Sequence, residues 1–339
     1  MGTKITSIGY ELPSLRVTND IWRDRFATKV ELSTNEFSRF ISDGIEQRFY
    51  WKPDETVADI GTRAARDCLK RADFPPEKVE HIIVMTNVSD TFINGEAPRI
   101  QANIGAQATS STFDLTGVAC SGFLIALYTA NALIMSGSVG NVLIVCVANP
   151  ASRAADHRDV SACSFGDLAS AVLLEKSDGD SGLLGYCHKT RGQDCDLLGH
   201  GFVPEGKRTW PEHANQPWAK HFFYVDHREG VVAARKGAEV YLPESAKIAM
   251  QRANKTPDDL RWFVSHQPGT APMRIWDKAI GFDPAKHPNT IAEIANCSFA
   301  TIPYTLRKLL DQGKIDNGDE LLLLAPGSGQ HAVSVVWRW

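Results

Sequence analysis

The sequence predicts an α/β protein built from two duplicated halves, with helices covering both sides of mainly parallel sheets. Three observations carry this. Apolar strand-like runs alternate with helical runs along the chain. Residues 69–84, LKRADFPPEKVEHIIV, align without a gap on 250–265, MQRANKTPDDLRWFVS. Residues 117–137, GVACSGFLIALYTANALIMSG, align likewise on 293–313, EIANCSFATIPYTLRKLLDQG. The two offsets are nearly equal, which marks one duplication of a half-chain and not a solenoid period. The halves are expected at 1–178 and 179–339. A connection at about 187–230, rich in His, Trp, Pro, Gly and charge, is expected to cover the site or face a substrate.

Taken in order, strands are predicted at 3–9, 81–87, 111–116, 142–148, 169–176, 261–266, 320–325 and 331–338. Helices are predicted at 56–73, 95–105, 121–136, 238–253, 270–281 and 298–312. In the first aligned pair an amphipathic helix ends, a proline turn follows, and a strand begins. Ala72 faces Ala253, Pro76 faces Pro257 and Val79 faces Leu260. In the second pair Phe123 faces Phe299, Tyr128 faces Tyr304 and Gly137 faces Gly313. Cys120 of the first half then corresponds to Asn296 of the second. A pseudo-two-fold axis would bring those two positions towards one centre.

Composition narrows the classes. The 339 residues are 43% hydrophobic with a formal charge of −4, enough to bury a large core. There is no basic excess to indicate nucleic acid. The apolar runs at 142–148 and 321–325 are too short to cross a membrane. The opening MGTKITSIGYELP has no apolar leader segment. Cys68, Cys120, Cys146, Cys163, Cys187, Cys195 and Cys297 are odd in number and contain no CxxC pair. That pattern predicts reduced thiols in the cytoplasm, with neither a disulfide framework nor a metal site.

The chemistry concentrates at a few junctions. In FDLTGVACSGF (113–123), Cys120 sits between a strand and the start of an apolar helix. Unpaired N–H groups and the helix dipole there favour a thiolate. An arbitrary cysteine in such a turn is more often a small buried filler. In RWFVSHQPG, His266 ends a strand, a place where histidines are often structural. Asn296, in ANCSF, sits at a helix start and is equally an N-cap candidate. Near a thiol, however, a histidine and an asparagine can both donate to one oxygen, which suits an enolate or oxyanion. The run LAPGSGQH (324–331) offers a backbone N–H for a second oxyanion, with the Cys120 amide as partner, and also reads as a tight hairpin.

DLTGVACSGFLIAL, FGDLASAVLLE (165–175), SHQPG, NCSFATIP (296–303) and PGSGQHAVSVVWRW match in order the motifs of the β-ketoacyl-ACP synthase III branch of the thiolase superfamily. DGIEQR (43–48) and DETVADIGTRAARDCL (54–69) resemble it too. The resemblance covers nearly the whole chain. It implies the five-layered α-β-α-β-α thiolase fold and a homodimer. It also implies that Cys120 carries an acyl chain, that His266 and Asn296 bind the second thioester's carbonyl, and that the Cys120 and Ser328 backbones form the oxyanion hole.

The chain departs from the housekeeping pattern at Glu96, in NGEAPRIQANIG. The olefin-forming thiolases and the α-pyrone-forming ketosynthases carry a glutamate there, which reaches the partner subunit's site as a base. A surface carboxylate is otherwise simply solvated. By resemblance Ile93, in the same loop, faces substrate. Phe37 takes the place of an adenine-stacking tryptophan, and Arg158 lies near a CoA-contacting arginine. Arg235, Lys236 and Arg274 resemble the basic positions that receive an acidic carrier protein. The weakened CoA pattern favours substrates delivered on the phosphopantetheine of acyl carrier protein, with no resident cofactor. The expected reaction is a Claisen-type condensation of the Cys120 acyl group with a malonyl- or β-ketoacyl-thioester, in fatty-acid or polyketide-type antibiotic biosynthesis and extending to an α-pyrone. Acyl transfer to an alcohol or amine stands as the alternative, and a non-catalytic subunit as a third.

Overall fold

The computed structural model describes residues 2–27, 43–91, 93–155, 160–202, 221–225 and 236–339. In chain order the elements are β1 (Gly2–Glu11), β2 (Leu15–Thr18), α1 (Asn19–Ala27), β3 (Gln47–Tyr50), α2 (Val57–Arg71), β4 (His81–Thr86), α3 (Ala97–Ile104), β5 (Ser111–Asp114), α4 (Gly122–Met135), β6 (Asn141–Ala148) and β7 (Leu168–Ser177). The second series is β8 (Gly182–Thr190), β9 (Leu198–Phe202), β10 (His221–Val225), α5 (Leu242–Arg252), β11 (Trp262–Ser265), α6 (Thr270–Ile280), α7 (Ile291–Ile294), α8 (Thr301–Asp311), β12 (Glu320–Gly327) and β13 (His331–Arg338).

Of the two large sheets, one has the order β1-β7-β6-β4-β5 and the other β8-β13-β12-β11, while β2–β3 and β9–β10 form two-stranded pairs. The first four strands of the one correspond in order to the four of the other, and β5 adds a fifth at the edge. The sheets are mixed, which corrects the expectation of mainly parallel strands. β4 runs parallel to β5 and β6, and β11 parallel to β12. β7 is antiparallel to β1 and β6, and β13 to β8 and β12. Only residues 328–330 separate β12 from β13, too few for the crossover that a parallel pair needs. β8 is absent from the predicted strands. It occupies 182–190, so the connection between halves starts after Thr190.

Side-chain alternation sets the layers. Ile83 and Met85 of β4 face one core while Ile82 and Val84 face another. Leu321 and Leu323 of β12 share the first core, whereas Leu322 and Leu324 belong to a third. That first core lies between the sheets and takes in α4 and α8, including Phe123, Leu127, Ile302 and Leu306. α2 and α3 cover the outer face of the first sheet, and α5 and α6 that of the second. The result is helices, sheet, helices, sheet, helices. α4 is apolar on nearly every side, as a middle-layer helix must be. Each fully buried Leu or Ile here contributes about 1.5–3 kcal/mol.

Backbone details repeat across the halves. A 3₁₀ turn at Pro76–Lys78 matches one at Pro257–Asp259. Asp73 and Asn254 share a left-handed φ, as do Ala119 and Ala295. α3 and α6 each end on a left-handed glycine, Gly105 and Gly281. Among the described residues no helix is long and apolar enough to cross a membrane.

Candidate active site

β5 leads through Gly117 into a 3₁₀ turn, Ala119–Ser121, that carries Cys120 ahead of α4. The thiol therefore sits just before the α-helix, on a turn whose first residue, Ala119, has φ +42°. The Ser121 hydroxyl donates to the Val118 carbonyl at 2.6 Å and closes the turn. Gly122 begins α4 where a Cβ would press on the Met85 sulfur at 2.9 Å.

His266 follows β11, and its N–H donates to the Leu324 carbonyl at 2.8 Å. Its Nδ1 donates to the Ser298 carbonyl at 3.0 Å, leaving Nε2 for the cavity and the thiol. Asn296 is held on both sides of its peptide, by the Ser164 carbonyl and the Gly166 N–H. Its Oδ1 accepts from the Ser298 N–H at 3.0 Å, which leaves the amide nitrogen as the free donor. Asn296 is not the N-cap of α8. It caps only the bend that precedes a 3₁₀ turn at Ser298–Ala300, and α8 begins at Thr301.

The loop after β12 lies directly against the cysteine turn. A Cβ on Gly327 would run into the Ser121 hydroxyl and the Val118 carbonyl, so only glycine permits this approach. Ser328 is thereby placed beside Cys120 on the cavity wall.

Cys120, His266, Asn296 and Ser328 line one cavity of about 270 Å³. Its other walls include Phe165, Tyr241, Leu242, Pro268, Pro272 and Trp276. In this apolar surrounding, burial pushes the Cys120 thiol up. Attraction to His266, together with hydrogen bonds from His266 and Ser298, outweighs burial and leaves the thiol below its ordinary range. His331 also reaches this cavity. Its Nδ1 lies 2.9 Å from His188 Nε2, and burial lowers the pKa of both rings.

The remaining sequence-predicted positions fall elsewhere. Glu96 is fully buried and does not line this cavity. Its Oε1 accepts from the Ser89 hydroxyl at 2.7 Å and the Asp90 N–H at 2.9 Å, while Oε2 has no hydrogen-bond partner among the described residues. Ile93 is 94% exposed in the neighbouring loop. Lys236 and Arg274 are exposed and adjoin the wall residues Gly237 and Pro272. Phe37, Arg158 and Arg235 lie outside the described residues.

Two contributors went unread in the sequence. Ser298 donates to the Cys120 sulfur at 3.4 Å, and Asn87 at the end of β4 donates to the Ser298 hydroxyl at 3.1 Å. Ser298 sits two residues past Asn296 with φ +50°, a conformation that serine does not advertise.

Comparison with known proteins finds relatives along nearly the whole chain. The profile described as 3-Oxoacyl-[acyl-carrier-protein (ACP)] synthase III matches residues 113–192, and that of its C terminal matches 250–339. The chain is 31% identical to a β-ketoacyl-[acyl-carrier-protein] synthase III of Dinoroseobacter shibae, covering 99% of this chain and 98% of the relative. It is similar to the crystal structure of 3-oxoacyl-[acyl-carrier-protein] synthase III from Aquifex aeolicus, with TM-score 0.84, 27% identity and full coverage of both chains. OleA from Xanthomonas campestris shares the fold at TM-score 0.83 and 20% identity, with 100% of this chain and 97% of that one covered. On its sequence, its layers and the residues gathered at Cys120, the chain belongs to the 3-oxoacyl-[acyl-carrier-protein] synthase III family of condensing enzymes.

Proposed function

We propose that the protein is a ketosynthase that joins an acyl group held on Cys120 to the α-carbon of a second thioester. The carrying observation is the convergence of a depressed thiol, the Nε2 of His266 and the amide of Asn296 on one apolar cavity. The Cys120 proton passes to His266 Nε2, because Nδ1 is committed to the Ser298 carbonyl. The thiolate attacks an acyl thioester, and the N–H groups of Cys120 and Ser328 hold the oxyanion. The departing thiol recovers a proton.

The second thioester then places its carbonyl oxygen against His266 and Asn296. Loss of carbon dioxide from a malonyl group, or removal of an α-proton by Glu96 of a second copy, forms the enolate. The enolate carbon attacks the acyl carbonyl, the Cys120 sulfur leaves, and a β-keto thioester results. A second chain that already bears keto groups would let the product cyclise to an α-pyrone.

Delivery on acyl carrier protein is supported by Lys236 and Arg274, exposed cations beside the cavity walls. A homodimer is supported by β5, an edge strand in its sheet, whose Phe113 is 36% exposed. The seven free cysteines fit the cytoplasm. The test supplies an acyl-CoA with malonyl-carrier protein and reads product mass. A new C–C product with loss of carbon dioxide supports the reading; an ester or amide formed from an added alcohol or amine overturns it.

A further inference from the structure

Behind His266 lies a second polar constellation that the condensation scheme does not use. The Ser265 hydroxyl is 2.8 Å from the His266 carbonyl oxygen and 2.8 Å from His287 Nε2. His287 Nδ1 is 2.6 Å from Asp277 Oδ1. The three side chains come from the end of β11, the segment after α6, and α6 itself, and all are buried. The His287 ring stacks on Phe263 with centroids 4.0 Å apart. The order Asp, His, Ser is the one hydrolases use to activate a serine. Here Ser265 has no exposed surface, and its hydroxyl meets a peptide carbonyl of its own chain.

Proton accounting gives the direction. Ser265 has one hydroxyl proton, and a carbonyl can only accept it. The serine oxygen is then an acceptor for His287 Nε2–H, and the Asp277 carboxylate is the acceptor for Nδ1–H. Both ring nitrogens of His287 are thus occupied, one by Ser265 and one by Asp277, and the whole chain of bonds ends on the His266 peptide.

The residue on the other side of His266 is tied to the same place. Gln267 donates to the Pro288 carbonyl at 2.9 Å and accepts from the Thr290 N–H at 2.7 Å. Both neighbours of His266 are therefore bonded to residues 287–290. That segment runs through α7 directly into Asn296.

We propose that Asp277, His287 and Ser265 are positioning residues that hold the His266 peptide in register with Asn296, so that imidazole and amide meet one substrate oxygen. This rests on the condensing reading above. A donor pair aimed at an enolate must be fixed before the charge develops, and a buried, connected relay of hydrogen bonds holds a peptide more firmly than a lone hydroxyl does.

The test uses the full-length protein and a pair of variants of equal shape, Ser265→Thr and Ser265→Val, of which only the first keeps the hydroxyl. Threonine is expected to stay within about twofold of the parent, and valine to lose about tenfold or more in condensation kcat with the KM for malonyl-carrier protein unchanged, the scale that small misplacements cost. Asp277→Asn should follow valine, and it decides the matter if valine fails to fold in a thermal melt. Equal kcat for the threonine and valine proteins, or parental kcat in Asp277→Asn, overturns the relay. The pH midpoint of Cys120 alkylation by iodoacetamide keeps the two readings apart. A parent that loads but never condenses sinks the condensing reading alone, while a midpoint identical in the threonine and valine proteins then sinks the relay.

Discussion

His266 Nδ1 lies 3.0 Å from the Ser298 carbonyl oxygen, and this contact decides which ring nitrogen meets Cys120. The same serine gives its hydroxyl to the Cys120 sulfur at 3.4 Å. One residue thus orients the His266 ring with its backbone and hydrogen-bonds the Cys120 sulfur with its side chain. Asn296 supports Ser298 in turn by accepting its N–H.

Removing the sulfur should stop the first half-reaction while leaving the fold alone. Cys120→Ala is expected to show no acyl adduct by intact-protein mass spectrometry, where the parent gains one. An adduct in the alanine protein would place the nucleophile elsewhere.

The thiol should react at lower pH than a free cysteine, because the thiolate is favoured by His266 and Ser298 against the burial that opposes it. His266→Ala removes the largest favourable contribution and leaves burial, so the midpoint of iodoacetamide alkylation should move up. Each unit of upward movement cuts the thiolate fraction at pH 7 about tenfold. Ser298→Ala should move it the same way by less. A midpoint unmoved in His266→Ala would show that the imidazole does not act on the sulfur.

Gly327→Ala should separate the loop that carries Ser328 from the cysteine turn. The new methyl meets a backbone carbonyl, which has no rotamer to yield. The expected cost is about 1–3 kcal/mol in a denaturant melt. Turnover should fall by more than that stability loss explains, since Ser328 moves with the loop. Full activity in a folded alanine protein would remove Ser328 from the oxyanion site.

Glu96 calls for the amide and not alanine. Truncation leaves the Ser89 hydroxyl and Asp90 N–H without their buried acceptor, at about 1–3 kcal/mol. Glu96→Gln keeps an oxygen there and abolishes the base. It should load Cys120 like the parent and lose condensation with a second thioester that has no carboxyl group to shed. Unchanged condensation would end the base role.

Much of this site was legible because its reactive side chains sit where periodicity changes. Cys120, His266 and Asn296 each lie at the junction of an apolar run and a loop, and the aligned repeats put Cys120 opposite Asn296. Ala119 and Ala295, paired by that alignment, both take a positive φ. The details that failed are backbone details. Ser298 at positive φ carries no compositional mark, so the 3₁₀ turn at Ser298–Ala300 reads in the sequence as the start of the helix predicted over 298–312. β8 escaped because its alternation is weak, with Gly182, Gly185 and Lys189 interrupting the apolar positions. Ser298 and Asn87 meet across the two halves, a distance of 211 residues, which no local pattern encodes.

The paired strain at Ala119 and Ala295 bears on any effort to toughen this molecule. An alanine at positive φ costs about 1–3 kcal/mol that glycine largely avoids, so a screen for heat tolerance should recover glycine at either position early. Those same two peptides aim the sulfur and the carboxamide. The survivors of such a screen are expected to melt a few degrees higher and to turn over more slowly, because the two turns no longer hold Cys120 and Asn296 so tightly.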